Sequence, residues 1–392
     1  MTSLGSGIVW SDRLRKLDSG VVPILILLLV LAGCTNQTPK PSVPAEAAPI
    51  ASGEPAPPPG DPLLRNRISK GLAYGGRLWL TGVTGALVSF GLSDGSRQVH
   101  FAAQVVDITA SDRGFWVLRS TSLRPSADFP GAAGGTYVVS SWTGSSFRDS
   151  PPFDLPEMPL AMVASESDPL VLSPHALLAQ ISERRGWRRQ SLHGELRGSF
   201  LAPPVVLGMG DLVYIGHNRG EWGGGLQVLD LSTRTVSDID QRDGPGLCDG
   251  PLNGDCDPVT GLVPATDEPG CVVASVGLIH MRAHGRILKV CGRKVIELFE
   301  KALTEEGSGK PLDMTEPFYG LTAAKPRGFW AVAPGTLYRF ESKTPTTLSL
   351  PNPTRLGGLW VNRDQPGLLV LYTEVNRAVS LSGATPLLIL LD

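Results

Sequence analysis

A short apolar strand, a turn built on glycine and a second strand recur along this chain, often with tryptophan in the second strand. The clear copies are Gly76-Arg77-Leu78-Trp79-Leu80, Arg113-Gly114-Phe115-Trp116-Val117 and Arg327-Gly328-Phe329-Trp330-Ala331. The last two share their surroundings, since DITASDRGFWVL from Asp107 and GLTAAKPRGFWAV from Gly320 differ by one insertion. Fainter copies begin at Asp168, Gly210, Gly285 and Pro366. Alternation within these runs has the period of a strand, not of a helix.

The anchors fall near 76, 114, 168, 210, 285, 327 and 367, with gaps of about 38, 54, 42, 75, 42 and 40 residues. Most of these gaps match the length of one four-stranded blade of a β-propeller. A further strand follows several anchors, as in Ala86–Phe90, Leu226–Asp230, Val295–Phe299 and Thr336–Phe340. The expected fold is all-β: one propeller of about seven four-stranded blades over residues 65–392, with six or eight blades as the alternative. A pair of β-sandwiches would leave the motif shared by residues 107 and 320 without a reason. One helix is expected, around Glu297–Glu306.

Composition agrees. Gly and Pro make up 80 of the 392 residues, charged residues are 18 % and the formal net charge is −2. Long helices and polyanion binding need the opposite, so helical bundles, coiled coils and nucleic-acid partners are excluded.

The first 64 residues follow a different logic. Arg13, Arg15 and Lys16 precede the apolar run Val21–Leu31 and then Leu31-Ala32-Gly33-Cys34. Eleven apolar residues are too few to span a bilayer but suit a secretory signal peptide. The LAGC stretch resembles the bacterial lipoprotein box. That implies cleavage after residue 33 and lipidation of Cys34 by a diacylglyceryl group and an amide-linked acyl chain of the palmitate type. Several acyl chains anchor stably where one would not. Thr35 lacks the acidic character of an inner-membrane retention signal, so the expected address is the cell envelope, at the outer membrane, facing the periplasm or the cell surface. Residues 34–64 read as a disordered tether, because nine prolines and almost no large apolar residue fall within 35–62.

Two segments of the propeller stand out. The loop HNRGEWGGGL runs from His217 to Leu226 and is followed by a strand, so its glycines do not form a phosphate cradle, which needs a helix after them. His217, Asn218, Arg219, Glu221 and Trp222 are the candidate binding residues, with a structural Arg219–Glu221 pair as the alternative. The second segment, Gln241 to Gly270, holds Cys248 and Cys256, while Cys271 and Cys291 flank the next two strands. Four cysteines besides the lipid site, in an exported chain, favour two disulfides. Of three connectivities, Cys248–Cys256 and Cys271–Cys291 are preferred: one closes a short loop, the other joins the ends of adjacent antiparallel strands.

Asp249, Asn253, Asp255 and Asp257 crowd the same insert at spacings that suit calcium, the one cofactor the sequence suggests, although the later Glu and central Gly of an EF-hand are missing. A solvated acidic loop is the alternative. In a blade, loops between the second and third strands share a face with the connections between blades. The 217–226 loop and the 241–270 insert are therefore expected side by side on one face. His280 and His284 form HMRAH but lack a helix and a third metal ligand, and they are expected on the opposite face. No nucleophile elbow supports serine hydrolase chemistry, and the Ser111–Trp116 stretch has the residue types of a sialidase Asp-box without its spacing.

The residues NRGEWGGGL, GPLNGDCDPVTGL and GRILKVCG make the stretch from Tyr214 to Gly292 resemble a family of exported bacterial lipoproteins with a β-propeller domain. The resemblance implies the fold and an exported address, and no particular activity.

Two functions follow as expectations. The first is a lipid-anchored binding or scaffold module meeting an envelope protein or glycan through the face bearing both segments, with the membrane engaged through its anchor. The alternative is an envelope hydrolase or lyase acting on a small or glycan substrate there, with His217, Arg219 and Glu221 as acid–base candidates. The absence of any catalytic set favours the first.

Overall fold

In the computed structural model, residues 68–350 are described apart from 83, 95, 122–133, 165–167, 183–185, 199–202, 245–247, 281, 306 and 325, together with the backbone of three later strands. The signal peptide, Cys34 and the tether assigned to 1–64 lie outside the described residues.

Six blades follow one another along the chain, each a meander whose first strand is innermost. Blade one is β1 (Ile68–Tyr74), β2 (Arg77–Gly82), β3 (Leu87–Gly91) and β4 (Arg97–Phe101). Blade two is β5 (Val105–Ser111), β6 (Gly114–Ser120), β7 (Gly135–Trp142) and β8 (Phe147–Asp149), with β9 (Phe153–Leu155) also paired to β7. Blade three is β10 (Ala161–Ala164), β11 (Pro169–Leu172), β12 (Ala176–Ser182) and β13 (Gly186–Ser191). Blade four is β14 (Val205–Met209), β15 (Leu212–Gly216), β16 (Leu226–Asp230) and β17 (Thr235–Ile239). Blade five is β18 (Val259–Pro264), β19 (Cys271–His280), β20 (Arg282–Cys291) and β21 (Lys294–Phe299). A two-stranded arm, β22 (Ala302–Thr304) and β23 (Pro311–Thr315), precedes blade six, which is β24 (Leu321–Ala323), β25 (Phe329–Ala333), β26 (Thr336–Phe340) and β27 (Thr346–Ser349). A three-stranded sheet follows, β28 (Leu359–Val361), β29 (Leu368–Thr373) and β30 (Leu387–Leu390). It touches β25 on one side and β1 on the other. The chain is thus an all-β propeller with six four-stranded blades, one fewer than the preferred expectation and within its stated range.

The core lies between blades. Central strands are buried on both faces, as in Leu78, Trp79 and Leu80 of β2, whereas outer strands such as β4 are largely exposed. Trp79 stacks on Phe115 of the next blade with ring centroids 4.3 Å apart. Burying a side chain of this size contributes on the order of 3 kcal/mol. Polar groups tie inner strands together. Asp107 accepts from Lys70 Nζ at 2.9 Å and from the Met162 backbone N–H at 2.6 Å, linking blades one, two and three.

Two expectations are corrected. The residues expected to form a helix, Glu297–Glu306, contribute instead to strands β21 and β22. Val295 and Ile296 explain β21, since β-branched side chains favour a pleated, half-buried surface. The anchor at Gly285 does not mark the first turn of a blade. Blade five turns at 265–270, in the polar stretch ATDEPG, and Gly285 lies within β20 opposite Gly277. Both glycines are needed because the chain leading into blade six crosses here. A Cβ on Gly277 would lie 1.9 Å from the Phe318 carbonyl oxygen, and one on Gly285 2.5 Å from that of Glu316.

Candidate binding face

One face of the ring, here the front face, receives every loop between second and third strands and every connection between blades. Short turns close most of the opposite face. In blades four to six the front face carries the 217–225 loop, the 240–258 insert, the far end of the β19–β20 hairpin and the β22–β23 arm.

The first two interlock as their topology predicts. Gly224 N–H donates to the Gly254 carbonyl at 2.9 Å, Gly225 N–H to that of Asp257 at 2.7 Å, and Val259 N–H to that of His217 at 2.9 Å. The approach is too close for side chains. At Gly224, where φ is +155°, a Cβ would lie 1.9 Å from the His217 carbonyl oxygen, and at Gly223 (φ +79°) 2.3 Å from the Asp255 backbone. The triple glycine is therefore a seam between loop and insert.

The loop spreads its candidate residues over different depths. His217 is fully buried and lies beneath the surface. Its Nε2 is 2.9 Å from Gln227 Oε1, and Gln227 in turn donates to Asp238 Oδ1 at 2.9 Å and to the Glu195 carbonyl. Burial pulls the imidazole pKa down to about 4, only partly opposed by the Gln227 hydrogen bond. Asn218 accepts from Gly220 N–H at 3.0 Å and opens the 3₁₀ turn η1 (Gly220–Trp222). Arg219 is half-buried and Glu221 exposed. Trp222 stands 62 % exposed. Arg197, which the sequence reading did not single out, donates to the Gly224 carbonyl at 3.0 Å and pairs with Asp238 at 3.1 Å, bracing the loop from the connection between blades three and four.

Cys248–Cys256 is bonded within the insert and Cys271–Cys291 beyond it, across the paired ends of β19 and β20. Of the four residues considered for calcium, Asn253, Asp255 and Asp257 are tied together by backbone hydrogen bonds, and the carboxylates of Asp255 and Asp257 are engaged by arginines. Asp257 is buried against Arg286 at 2.5 Å, and Asp255 pairs with Arg242 at 2.8 Å. Asn253 Oδ1 accepts from the Asp255 N–H at 3.0 Å. Asp249 is exposed. Among the described residues, the only group of three with metal-ligand spacing is Glu268 with Cys271 and Cys291, whose sulfurs are spent in a disulfide.

The HMRAH segment does not lie on the opposite face. It forms the turn between β19 and β20, hence on the front, and His284 Nε2 is 3.4 Å from Asp257 Oδ1. The mistaken placement came with the mistaken anchor at Gly285.

Two further clusters had no local signal, because their members are distant in sequence. Glu157 accepts from Ser173 Oγ at 2.7 Å and from the His175 backbone at 2.9 Å, and pairs with His175 Nδ1 at 2.7 Å. Tyr338 donates its hydroxyl to the buried Glu316, and Lys301 donates to the Tyr338 oxygen at 2.7 Å. Burial, then Glu316, pushes the Tyr338 hydroxyl pKa up to about 12.

No protein-family profile matches the chain, and no curated protein matches it. Solved structures do. YCF48 from Cyanidioschyzon merolae superposes with a TM-score of 0.51 at 11 % identity, over 83 % of this chain and 96 % of that one. A structure described as YCF48 bound to D1 peptide gives 0.50 at 11 % identity, over 84 % and 93 %. The extracellular domain of a one-component system from B. thetaiotaomicron gives 0.49 at 14 % identity, and the alignment spans 38 % of that chain. The likeness is one of fold. No helix among the described residues is long and apolar enough to cross a membrane.

Proposed function

We propose that this protein is a binding module of the bacterial cell envelope, held by lipids on Cys34 and meeting an envelope partner through the front face of blades four and five. One observation carries this reading: a large aromatic side chain, Trp222, is held in solvent by a loop whose backbone is sewn to a disulfide-pinned insert. Exposed tryptophan on a rigid support is characteristic of binding hot spots, since little entropy is lost when a partner covers it. The enzyme alternative loses His217, which is buried and neutral. YCF48, solved bound to D1 peptide, is an instance of a similar fold with a peptide ligand. The sheet β28–β30, lying between blades six and one, is read here as a seventh blade that closes the ring.

A photo-crosslinker in place of Trp222, expressed in cells, tests the binding reading. An envelope component is expected to be captured there and not by the same crosslinker at Arg113, in the opposite-face turn. Equal capture at both positions removes the reading. Incorporation of labelled palmitate, lost in Cys34→Ser, tests the anchor.

A further inference from the structure

The charge around Trp222 is unevenly distributed. The whole chain has a formal net charge of −2. The stretch from Asp240 to Asp257 alone holds five aspartates (240, 243, 249, 255 and 257) and a single arginine, Arg242. Arg242 lies between Asp240 and Asp255, at 2.8 Å from each, so it draws on charge already present in the insert. Asp257 is turned inward to Arg286, while Asp243, Asp249 and Asp255 are exposed. Glu221, next to Trp222, is exposed too.

Turn η1 lies against β19. Ile279, 47 % exposed near the end of that strand, alternates with Cys271, Val273 and Gly277 on the face turned to blade six, so it belongs to the other side of the hairpin. Among the described residues, Trp222 and Ile279 are the most exposed large apolar side chains apart from Ile181, which belongs to blade three. On the side of blade four, the result is an exposed indole beside an acidic rim.

We infer that the front face of blades four and five takes a basic peptide segment of a partner protein, with Lys or Arg side chains over Trp222 and against the insert carboxylates. The inference rests on the binding reading above and names its partner. A cation over an indole face is attracted by the ring quadrupole. Carboxylates on the rim steer a cationic segment inward and repel an anionic one. Phosphate headgroups and acidic glycans therefore do not suit this surface.

The test uses the full chain in detergent and three probes: a pentapeptide of four lysines around one leucine, the same peptide with glutamates for lysines, and cellotriose. Binding is followed by calorimetry at two ionic strengths, for wild type, Trp222→Ala and Asp243→Asn/Asp255→Asn. The lysine peptide is expected to bind, and to weaken about tenfold in each variant and about tenfold at the higher salt. An unchanged melting temperature in Trp222→Ala shows that the loss is not one of folding. If the glutamate peptide or cellotriose binds instead with the same dependence on Trp222, the partner is wrong and the binding face stands. If no probe responds to Trp222→Ala, the basic-peptide inference is overturned. Failure of the crosslinking test is a separate result and bears on the face itself.

Discussion

Arg286 reaches from β20 to place its guanidinium 2.5 Å from the buried carboxylate of Asp257, while its Nε donates to the Pro251 carbonyl at 2.8 Å. The same carboxylate accepts from the Asn253 N–H at 2.7 Å. One ion pair thus holds residues 250–257, the second half of the insert, against blade five. Removing one partner leaves the other charge buried without compensation, which costs about 3–5 kcal/mol. Arg286→Met is expected to lower stability by that order in urea denaturation. A loss below about 1 kcal/mol would show that the insert does not depend on this pair.

The two disulfides are expected to behave differently. Cys271–Cys291 joins strands within a blade, and its loss, in Cys271→Ser/Cys291→Ser, should lower the global melting temperature, at about 2–4 kcal/mol. Cys248–Cys256 closes a surface loop of sequence separation 8. Its removal should speed amide exchange around Asn253 and Gly254 with little global effect. Hydrogen exchange by mass spectrometry separates the two cases; equal global losses would contradict this division.

His217 sets an acid limit. Burial holds its folded pKa at about 4, below the ordinary imidazole value of 6.5, so the unfolded chain takes up a proton that the folded chain refuses. The resulting stability is fully present above pH 6.5 and lost as pH falls towards 4, by up to about 3 kcal/mol. His217→Gln is expected to flatten the melting curve across this window. An unchanged pH slope would mean that other groups carry it.

His175 shifts the other way. The hydrogen bond to Glu157 raises its pKa above 6.5, with burial opposing. Its contribution is complete below the unfolded value and fades as pH rises through the folded one. The group is exposed, so the effect is best read directly by NMR titration. In Glu157→Gln the His175 midpoint should fall; an unmoved midpoint would assign the shift to Glu195.

Much of the fold was legible because propeller blades repeat a local unit. The Gly-Phe-Trp turns at Arg113 and Arg327 could be recognised without any long-range information. Blade five was misplaced because Gly285 looks like a turn glycine; its real reason is the Phe318 segment packing over its partner Gly277, which no local pattern shows. The neighbourhood of the Gly loop and the Cys insert was legible through topology alone. The depth of each side chain was not. His217 and Trp222 are five positions apart in one loop, yet one is sealed beneath it and the other stands in solvent. The partners Arg197 and Arg286, which hold that arrangement, come from the connection between blades three and four and from blade five.

The direction of β1 has a consequence for reach. Ile68 enters the first strand from the front, as the innermost strand of every blade does. A leash running back from Ile68 to lipids on Cys34 would leave the ring on the side that carries Trp222. Under the anchoring proposed above, the extent of that leash, and not the propeller, would then decide whether Trp222 looks into the narrow gap above the bilayer or swings clear of it. Shortening residues 35–62 by half would press the face towards the lipid surface and bar a bulky partner while admitting a slender one. Reach and selectivity would then be set by the same stretch of prolines.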